Sequence, residues 1–465
     1  MSLKANKFII SILALLIVVD VSILLDIPFV RQTLPFTYFT LVPGYLILLI
    51  MGLNRKLEVV DTVLFSIGLS IFLLMFLGAA FSLICPFFGL DAPLSLNFVL
   101  TVLNILVLSL NFAVVRMNIH TPNVGGFSRS FLEPKILTFS LIPFIFPFLM
   151  TAGTNLVDST ANNTLIVVAI LATIFYGIIL YIYGFLGKLH NQDKIYPFNL
   201  YFLGLSLLLM YSTCSNYLVG YNDPEIEYYL FSKTVGSKVW RPDFLYSPYN
   251  ACMSITVLPT IYQVLIGINN LAIFKILLQH ITALFPVVIF SILRKFKIEA
   301  HTSFILALMC VLQYQYIINL PAHIRTGTGL VFFALLVLVL IYSRIPELSK
   351  KFLILIFASS LVLSHYSTTY ISLAFFVLVL ILQFIFTRQP KISTFVIILF
   401  STLVLWYALV VEAAYKSGIV AIKKTIVNLP KFFVEEARGE TVLKAFGYGS
   451  EIIAQYIDCL LYTSP

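Results

Sequence analysis

Runs of about 17 to 25 apolar residues follow one another along nearly the whole chain, the length a bilayer core demands of a helix. Only a segment that satisfies its own backbone hydrogen bonds can lie in hydrocarbon. With 60% of its 465 residues hydrophobic and 11% charged, the chain reads as an all-α polytopic membrane protein. The run from Phe8 to Leu25 follows Lys4 and Lys7 much as a signal sequence would, but Asp26-Ile27-Pro28 is a poor cleavage site, so the run is read as a span. The net charge of +9 sits in short loops between spans. There it reports orientation, and no nucleic-acid partner is expected.

About 13 transmembrane helices are expected, over 8–25, 36–52, 59–85, 94–115, 136–152, 164–187, 200–219, 271–293, 302–320, 327–343, 352–364, 370–386 and 394–411. The apolar segment 254–270 is short and carries Pro259; it is expected to rest in the interface on the lipid headgroups. Alternation from an inside N-terminus then places 17 basic residues inside: Lys4, Lys7, Arg55, Lys56, Arg116, Arg129, Lys135, Lys188, Lys194, Arg294, Lys295, Lys297, Arg344, Lys350, Lys351, Arg388 and Lys391. Five lie in outer loops: Arg31, Lys233, Lys238, Arg241 and Arg325. If 254–270 crossed, the basic loop Arg294-Lys295-Phe296-Lys297 would move outside and every later loop would invert. Asn162-Asn163-Thr164, a glycosylation-type triplet, falls outside. The segment 352–364 covers only about 20 Å of helix, so it is read with 370–386 as a hairpin tipped by Ser364–Thr368.

The five cysteines (Cys85, Cys214, Cys252, Cys310, Cys459) show no metal-ligand spacing. Cys214 and Cys252 flank one outer loop and are the candidate disulfide pair, with unpaired thiols the favoured reading. From Glu412 the composition turns to mixed charge, with Lys416, Lys423, Lys424, Glu435, Glu436, Arg438 and Glu440. An external soluble domain is expected to start there, over 412–465. The ending Cys459-Leu460-Leu461-Tyr462-Thr463-Ser464-Pro465 resembles translated sequencing-adapter sequence, and a native C-terminal domain is expected to be missing.

Three polar clusters interrupt the apolar chain, and the loop charges place all three on the outer side. The first is Asp223, Glu225 and Glu227. Asp223 and Glu227 are four apart and share a helix face. Two structural uses compete with chemistry here: Asp223 capping a helix that starts at Pro224, or a capping box of Asn222 with Glu225. A carboxylate at a helix start is equally suited to act as a general base, or to bind a divalent cation (Mg or Mn) through Asp223 and Glu225. The second cluster is His323 with Arg325, where the arginine either snorkels to headgroups or clamps a phosphate with both guanidinium arms. The third is Ser364-His365-Tyr366-Ser367-Thr368, a polar kink or a hydroxyl-rich contact for a phosphate or sugar. Within spans, Lys275 and His280 lie on different faces of one helix, reaching a lipid phosphate or a neighbouring helix, and Asp20 is expected to hydrate at an outer helix end.

An acidic pair in a large outer loop, followed by interfacial helices and many spans, resembles the C-type (GT-C) membrane glycosyltransferases. Three segments are more closely similar to an archaeal family of uncharacterised multispanning proteins in that superfamily. They are Asn216-Tyr217-Leu218-Val219-Gly220-Tyr221 through Asp223 and Glu227-Tyr228-Tyr229, then Ser254 to Tyr262, then Ser364-His365-Tyr366-Ser367-Thr368-Thr369-Tyr370. The likeness covers about 200–411 and departs at Glu225, where a histidine is expected in the family. It implies an accessory membrane module over 1–199, containing Pro43-Gly44-Tyr45, and a GT-C-like catalytic module over 200–411 with a large first outer loop containing interfacial helices. The implied reaction moves a sugar from a polyprenyl (dolichyl-type) phosphate to a saccharide, lipid or protein acceptor outside the cell membrane. Asp223 and Glu227 would be the catalytic carboxylates, and Arg325, His365, His323, Tyr366 and Ser367 would bind donor and phosphate. A transporter or flippase for lipid-linked saccharides is the competing reading; such proteins carry broken helices in both halves, and no matching pair is visible.

The orientation is testable with an impermeant thiol reagent. In a cysteine-free background, Gly236→Cys should label from outside and Lys297→Cys should not; the reverse pattern inverts the topology.

Overall fold

In hydrocarbon every backbone N–H and C=O must find its partner within the protein, and the computed structural model meets this with helices throughout. The structure describes residues 3–117, 134–189, 191–220, 222–388, 393–428 and 430. Tyr221, Arg129, Lys391, and the tail residues Glu435, Glu436, Arg438, Glu440 and Cys459–Pro465 lie outside the described residues.

In chain order the helices are α1 (Leu3–Leu24), α2 (Val30–Ile50), α3 (Val59–Ile84), α4 (Leu96–Arg116), α5 (Pro134–Thr160), α6 (Thr164–Phe185), α7 (Gln192–Ser212), α8 (Asp223–Ser237), α9 (Val257–Ile266), α10 (Asn270–Lys295), α11 (Ala300–Val311), α12 (Gln315–Ala322), α13 (Ile324–Ile341), α14 (Glu347–Ser364), α15 (Tyr366–Thr387), α16 (Ser393–Ala408) and α17 (Glu412–Asn428). Among the described residues, nine are long and apolar enough to cross a bilayer: α2 to α7, α10, α13 and α15. The number reaches eleven if each of two helix pairs interrupted by a short break is one span; α11 and α12 form one such pair, bent by 59°. Two further expected spans fall outside this set. The apolar part of α1, Phe8–Leu24, is shorter, and α14 carries Glu347, Lys350 and Lys351. At 18 residues α14 is also longer than the expected 352–364, covering about 27 Å at 1.5 Å per residue.

The described residues up to Ala414 form one unit, and those from Tyr415 a second. Both expected modules, 1–199 and 200–411, lie within the first unit, where α3 packs on α9 and α14.

Ion pairs at one end and hydrogen bonds at the other mark the two ends of the helix bundle. At one end Lys295 forms ion pairs with Glu58 (2.8 Å) and the buried Asp61 (2.7 Å), and its ammonium lies 4.5 Å from the centre of the Tyr342 ring. At the other end the segment between α8 and α9 is laced into the helix termini. Trp240 N–H donates to Ser82 Oγ, Met253 N–H to the Leu363 carbonyl, and Ser254 Oγ to the Ser364 carbonyl.

α9 starts and stops at this second end. Its last carbonyls, Val264 and Leu265, accept from Arg31, which also pairs with Asp26 between α1 and α2. Arginine suits a helix C-terminus, where unpaired carbonyls collect. The chain then turns through Gly267, at φ +67°. The expectation that 254–270 rests on lipid is corrected: residues 251–262 are all buried, and α9 packs against α2, α3, α4 and α8. Asp20 is likewise corrected. It accepts a hydrogen bond from Asn104 on α4 (2.9 Å) and so joins two helices. Cys214 and Cys252 are unpaired.

Pro43-Gly44-Tyr45 has a packing role. A Cβ on Gly44 would stand 1.9 Å from the Ser66 carbonyl oxygen of α3, so only glycine permits the approach. Its N–H donates to Ser70 Oγ (2.8 Å), cementing α2 to α3. Gly44→Leu should therefore destabilise the fold by about 1–3 kcal/mol or more, as overpacking does. Gly236→Ala, with open space around it, should not. Melting temperatures in detergent check this; equal melts for the two variants contradict it.

Candidate functional site

The start of α8 is set by its sequence. Asn222 takes φ +63° ahead of Asp223, and Pro224 fits the first helical turn because its missing N–H has no partner to lose there. From that start, Asp223 and Glu227 point to the same side and Glu225 to another. Glu227 is fully buried, Asp223 one-third exposed, and Glu225 exposed. Neither capping reading is realised: Asn222 makes no side-chain cap bond, and the Asp223 carboxylate turns elsewhere.

It turns to Arg325. The guanidinium Nη2 donates to Asp223 Oδ2 at 2.6 Å, and Nη1 donates to Glu227 Oε1 at 2.5 Å. The arginine side chain is only 5% exposed, so it does not snorkel. Its ring-like plane lies against Tyr249, with Cζ 4.0 Å from the ring centre, a cation–π contact. Tyr249 Oη donates to Asp223 Oδ1 at 2.5 Å. The Asp223 carboxylate is thus held from both oxygens.

Arg325 occupies the first turn of α13, a poor place for a cation, because helix N-termini carry partial positive charge. The two carboxylates answer both charges at once. The N–H groups of Ile324 and Arg325 favour the ionised form of Glu227, as does Arg325 itself. Full burial outweighs them and pushes the Glu227 carboxyl up to about 7. For Asp223 the balance reverses. Burial acts to raise it, but the hydrogen bonds from Tyr249 and Arg325, with the charges of Arg325 and His323, hold it below the usual carboxylate range.

His323 separates α12 from α13 and is about a quarter exposed. Its Nδ1 bonds the Asn319 carbonyl at 2.8 Å, which leaves Nε2 facing Asp223 Oδ2 at 3.7 Å. His365 is the single extended residue between α14 and α15. Its Nδ1 meets Thr368 Oγ1 at 2.7 Å, and Gly329 gives its side chain room against α13. Burial first, then the charges of Arg325 and His323, drive its imidazole well below the ordinary range, so it is neutral. His365 reaches the carboxylates through rings: it packs on Tyr366 at 5.5 Å, and Tyr366 packs on Tyr249 at 6.2 Å.

The structure therefore groups Asp223, Glu227, Arg325 and His323, with His365 and Tyr366 adjoining. It also alters several expected parts. Two arms of Arg325 are occupied by carboxylates, so it does not present an open phosphate clamp. Most hydroxyls of the Ser364 cluster bond within the protein: Thr369 Oγ1 donates to the Leu361 and His365 carbonyls, and Ser364 Oγ contacts Met75. Ser367 faces the Tyr366 hydroxyl. Lys275 Nζ donates to the Ser215 carbonyl, and His280 Nδ1 pairs with Ile276 in its own helix. A divalent cation shared by Asp223 and Glu225 does not fit, since Glu225 is exposed while the Asp223 carboxylate turns to Arg325 and Tyr249. Among the described residues, no group of three or more His, Cys, Asp or Glu is placed to hold a metal.

Sequence reasoning missed Tyr249. It lies in a short turn, Pro248–Ala251, capped by Ser247. Asn250 anchors this turn by donating to the Arg241 and Pro242 carbonyls while accepting from Trp240 Nε1 (2.9 Å). A lone tyrosine among 25 carries no signal of this.

No protein-family model, curated protein or solved structure matches the chain.

The Glu227 carboxyl yields a pH prediction. Its folded value of about 7 exceeds the ordinary 4.5, so the folded state binds the proton more tightly. Its contribution to stability is present at low pH and is lost as pH rises through about 7. Glu227→Gln mimics the protonated form at every pH. Wild-type protein should lose stability relative to this variant as pH climbs from 4.5 to about 7. Paired thermal melts give the difference; one that is flat over the range contradicts the shift.

Proposed function

We propose that this chain is a membrane glycosyltransferase that moves a sugar from a polyprenyl-phosphate donor to an acceptor hydroxyl, with Asp223 as general base. One observation carries the reading: a partly exposed, ionised carboxylate is held in a fixed orientation over a buried guanidinium at one end of a membrane helix bundle. Burying an arginine and a glutamate beneath it is costly unless the arrangement is needed. The resemblance of the 216–229, 254–262 and 364–370 segments to GT-C proteins supplies the substrate class.

In this reaction the acceptor oxygen attacks the anomeric carbon while Asp223 takes its proton. The bond from that carbon to the phosphate oxygen breaks, and the electron pair leaves with the lipid phosphate. Arg325 stands behind Asp223 and lends positive potential to the site without leaving its carboxylates. His323, the partly exposed imidazole at 3.7 Å from Asp223, would meet the departing phosphate. His365, Tyr366 and Ser367 form the adjoining wall, where a sugar would lie.

Transport of a lipid-linked saccharide is the second reading, and the 59° break between α11 and α12, which leads directly to His323, favours it. Asp223→Asn decides between them. Loss of a general base lowers transfer by about 10²–10⁴ in membranes supplied with polyprenyl-phosphate sugar. Near-normal transfer by the variant defeats the proposal, and movement of donor across vesicles without a new glycosidic bond establishes transport instead.

A further inference from the structure

Tyr249 belongs to none of the polar clusters visible in the chain, yet it touches two charged members of the site, Asp223 and Arg325. Its hydroxyl meets Asp223 Oδ1 at 2.5 Å, and its ring faces the Arg325 guanidinium at 4.0 Å. Its own backbone is fixed by the Ser247 cap and the Asn250 anchor, and the end of the same turn is tied by Trp406 Nε1 donating to the Ala251 carbonyl (3.0 Å). Trp406 also stacks on Trp240 at 5.7 Å.

We propose that Tyr249 is a positioning residue that sets the rotamer of Asp223 and keeps the Arg325 guanidinium against both carboxylates. The inference deepens the glycosyl-transfer reading and rests on it only for its kinetic consequence. An ionised carboxylate has two acceptor positions on each oxygen. Tyr249 occupies one on Oδ1 and Arg325 one on Oδ2, which turns the remaining positions toward the exposed side of Asp223. Without the phenol, the carboxylate is free to rotate about its terminal bond, a soft torsion for aspartate. The guanidinium also loses the donor that balances it across the carboxylate. A base that must meet one acceptor proton at hydrogen-bond distance is sensitive to such freedom.

Tyr249→Phe removes the hydroxyl and keeps the ring over Arg325, so the protein should melt near the wild-type temperature. Two readouts follow. In substrate-free protein, the infrared carboxylate band of Asp223, identified by its loss in Asp223→Asn, should move in Tyr249→Phe. With donor and acceptor supplied, kcat should fall by roughly tenfold to a hundredfold while the donor KM stays within about twofold. Placing 3-fluorotyrosine at 249, a stronger donor of the same shape, should move the band in the opposite direction and covers the case in which Tyr249→Phe does not fold. An Asp223 band that stays in place in both variants overturns the proposal, whatever the activity. A moved band in a protein that transfers no sugar leaves Tyr249 as the positioning residue and removes the glycosyltransferase reading.

Discussion

A guanidinium buried in a helix bundle has to be answered by opposite charge, and Arg325 is answered twice. Removing one partner from a buried pair of this kind costs about 3–5 kcal/mol, because the other is left without compensation. That penalty makes the Arg325 pairs the joint on which this end of the protein depends. Glu227 is 98 residues away in sequence and Asp223 102, so closing the joint draws α8 onto the start of α13. The turn carrying Tyr249 then fills the space above the guanidinium. α9 lies beneath the same segment, held by Arg31 at its last carbonyls.

Burial divides the two carboxylates into different chemical species. Glu227 sees no solvent, and desolvation moves it toward neutrality in spite of the arginine. Asp223 keeps a third of its surface and gains two strong donors, which leaves it ionised. Two acidic groups on one helix face thus have separate duties: one anchors the cation, and the other is available to the outside.

The helical architecture was legible because lipid imposes it: long apolar runs have no other way to satisfy their backbones. The brevity of α9 was legible too, from Pro259 and from the basic loop after α10. The environment of α9 was not, since an apolar segment reads alike whether lipid or protein surrounds it. At the candidate site, the four-residue spacing of Asp223 and Glu227 foretold a common face, but the partner of that face was invisible. Arg325 has the signature of any arginine at a span end, and nothing local distinguishes snorkelling from a buried ion pair. The hydroxyls around His365 misled for a related reason: serine and threonine in helices commonly return their hydrogen bonds to the backbone, as Thr369 does here. Asp61 and Lys295 show the same limit, because a loop lysine that reports orientation gives no sign of a buried aspartate waiting 234 residues earlier.

That second ion pair has a mechanical meaning. Helix α13 is fastened near its start by Arg325. Just beyond its end, Tyr342 lies under the Lys295 ammonium and its hydroxyl accepts from the Glu58 N–H (3.3 Å). A rod clamped at both ends by charge resists tilting and sliding alike. α15, which starts at the extended backbone of His365, is tied by hydrogen bonds instead: Thr369 Oγ1 donates to the Leu361 carbonyl and Tyr370 Oη to the Ala414 carbonyl. The α13 side of the candidate site is therefore anchored at both ends of one helix, far apart in the bundle.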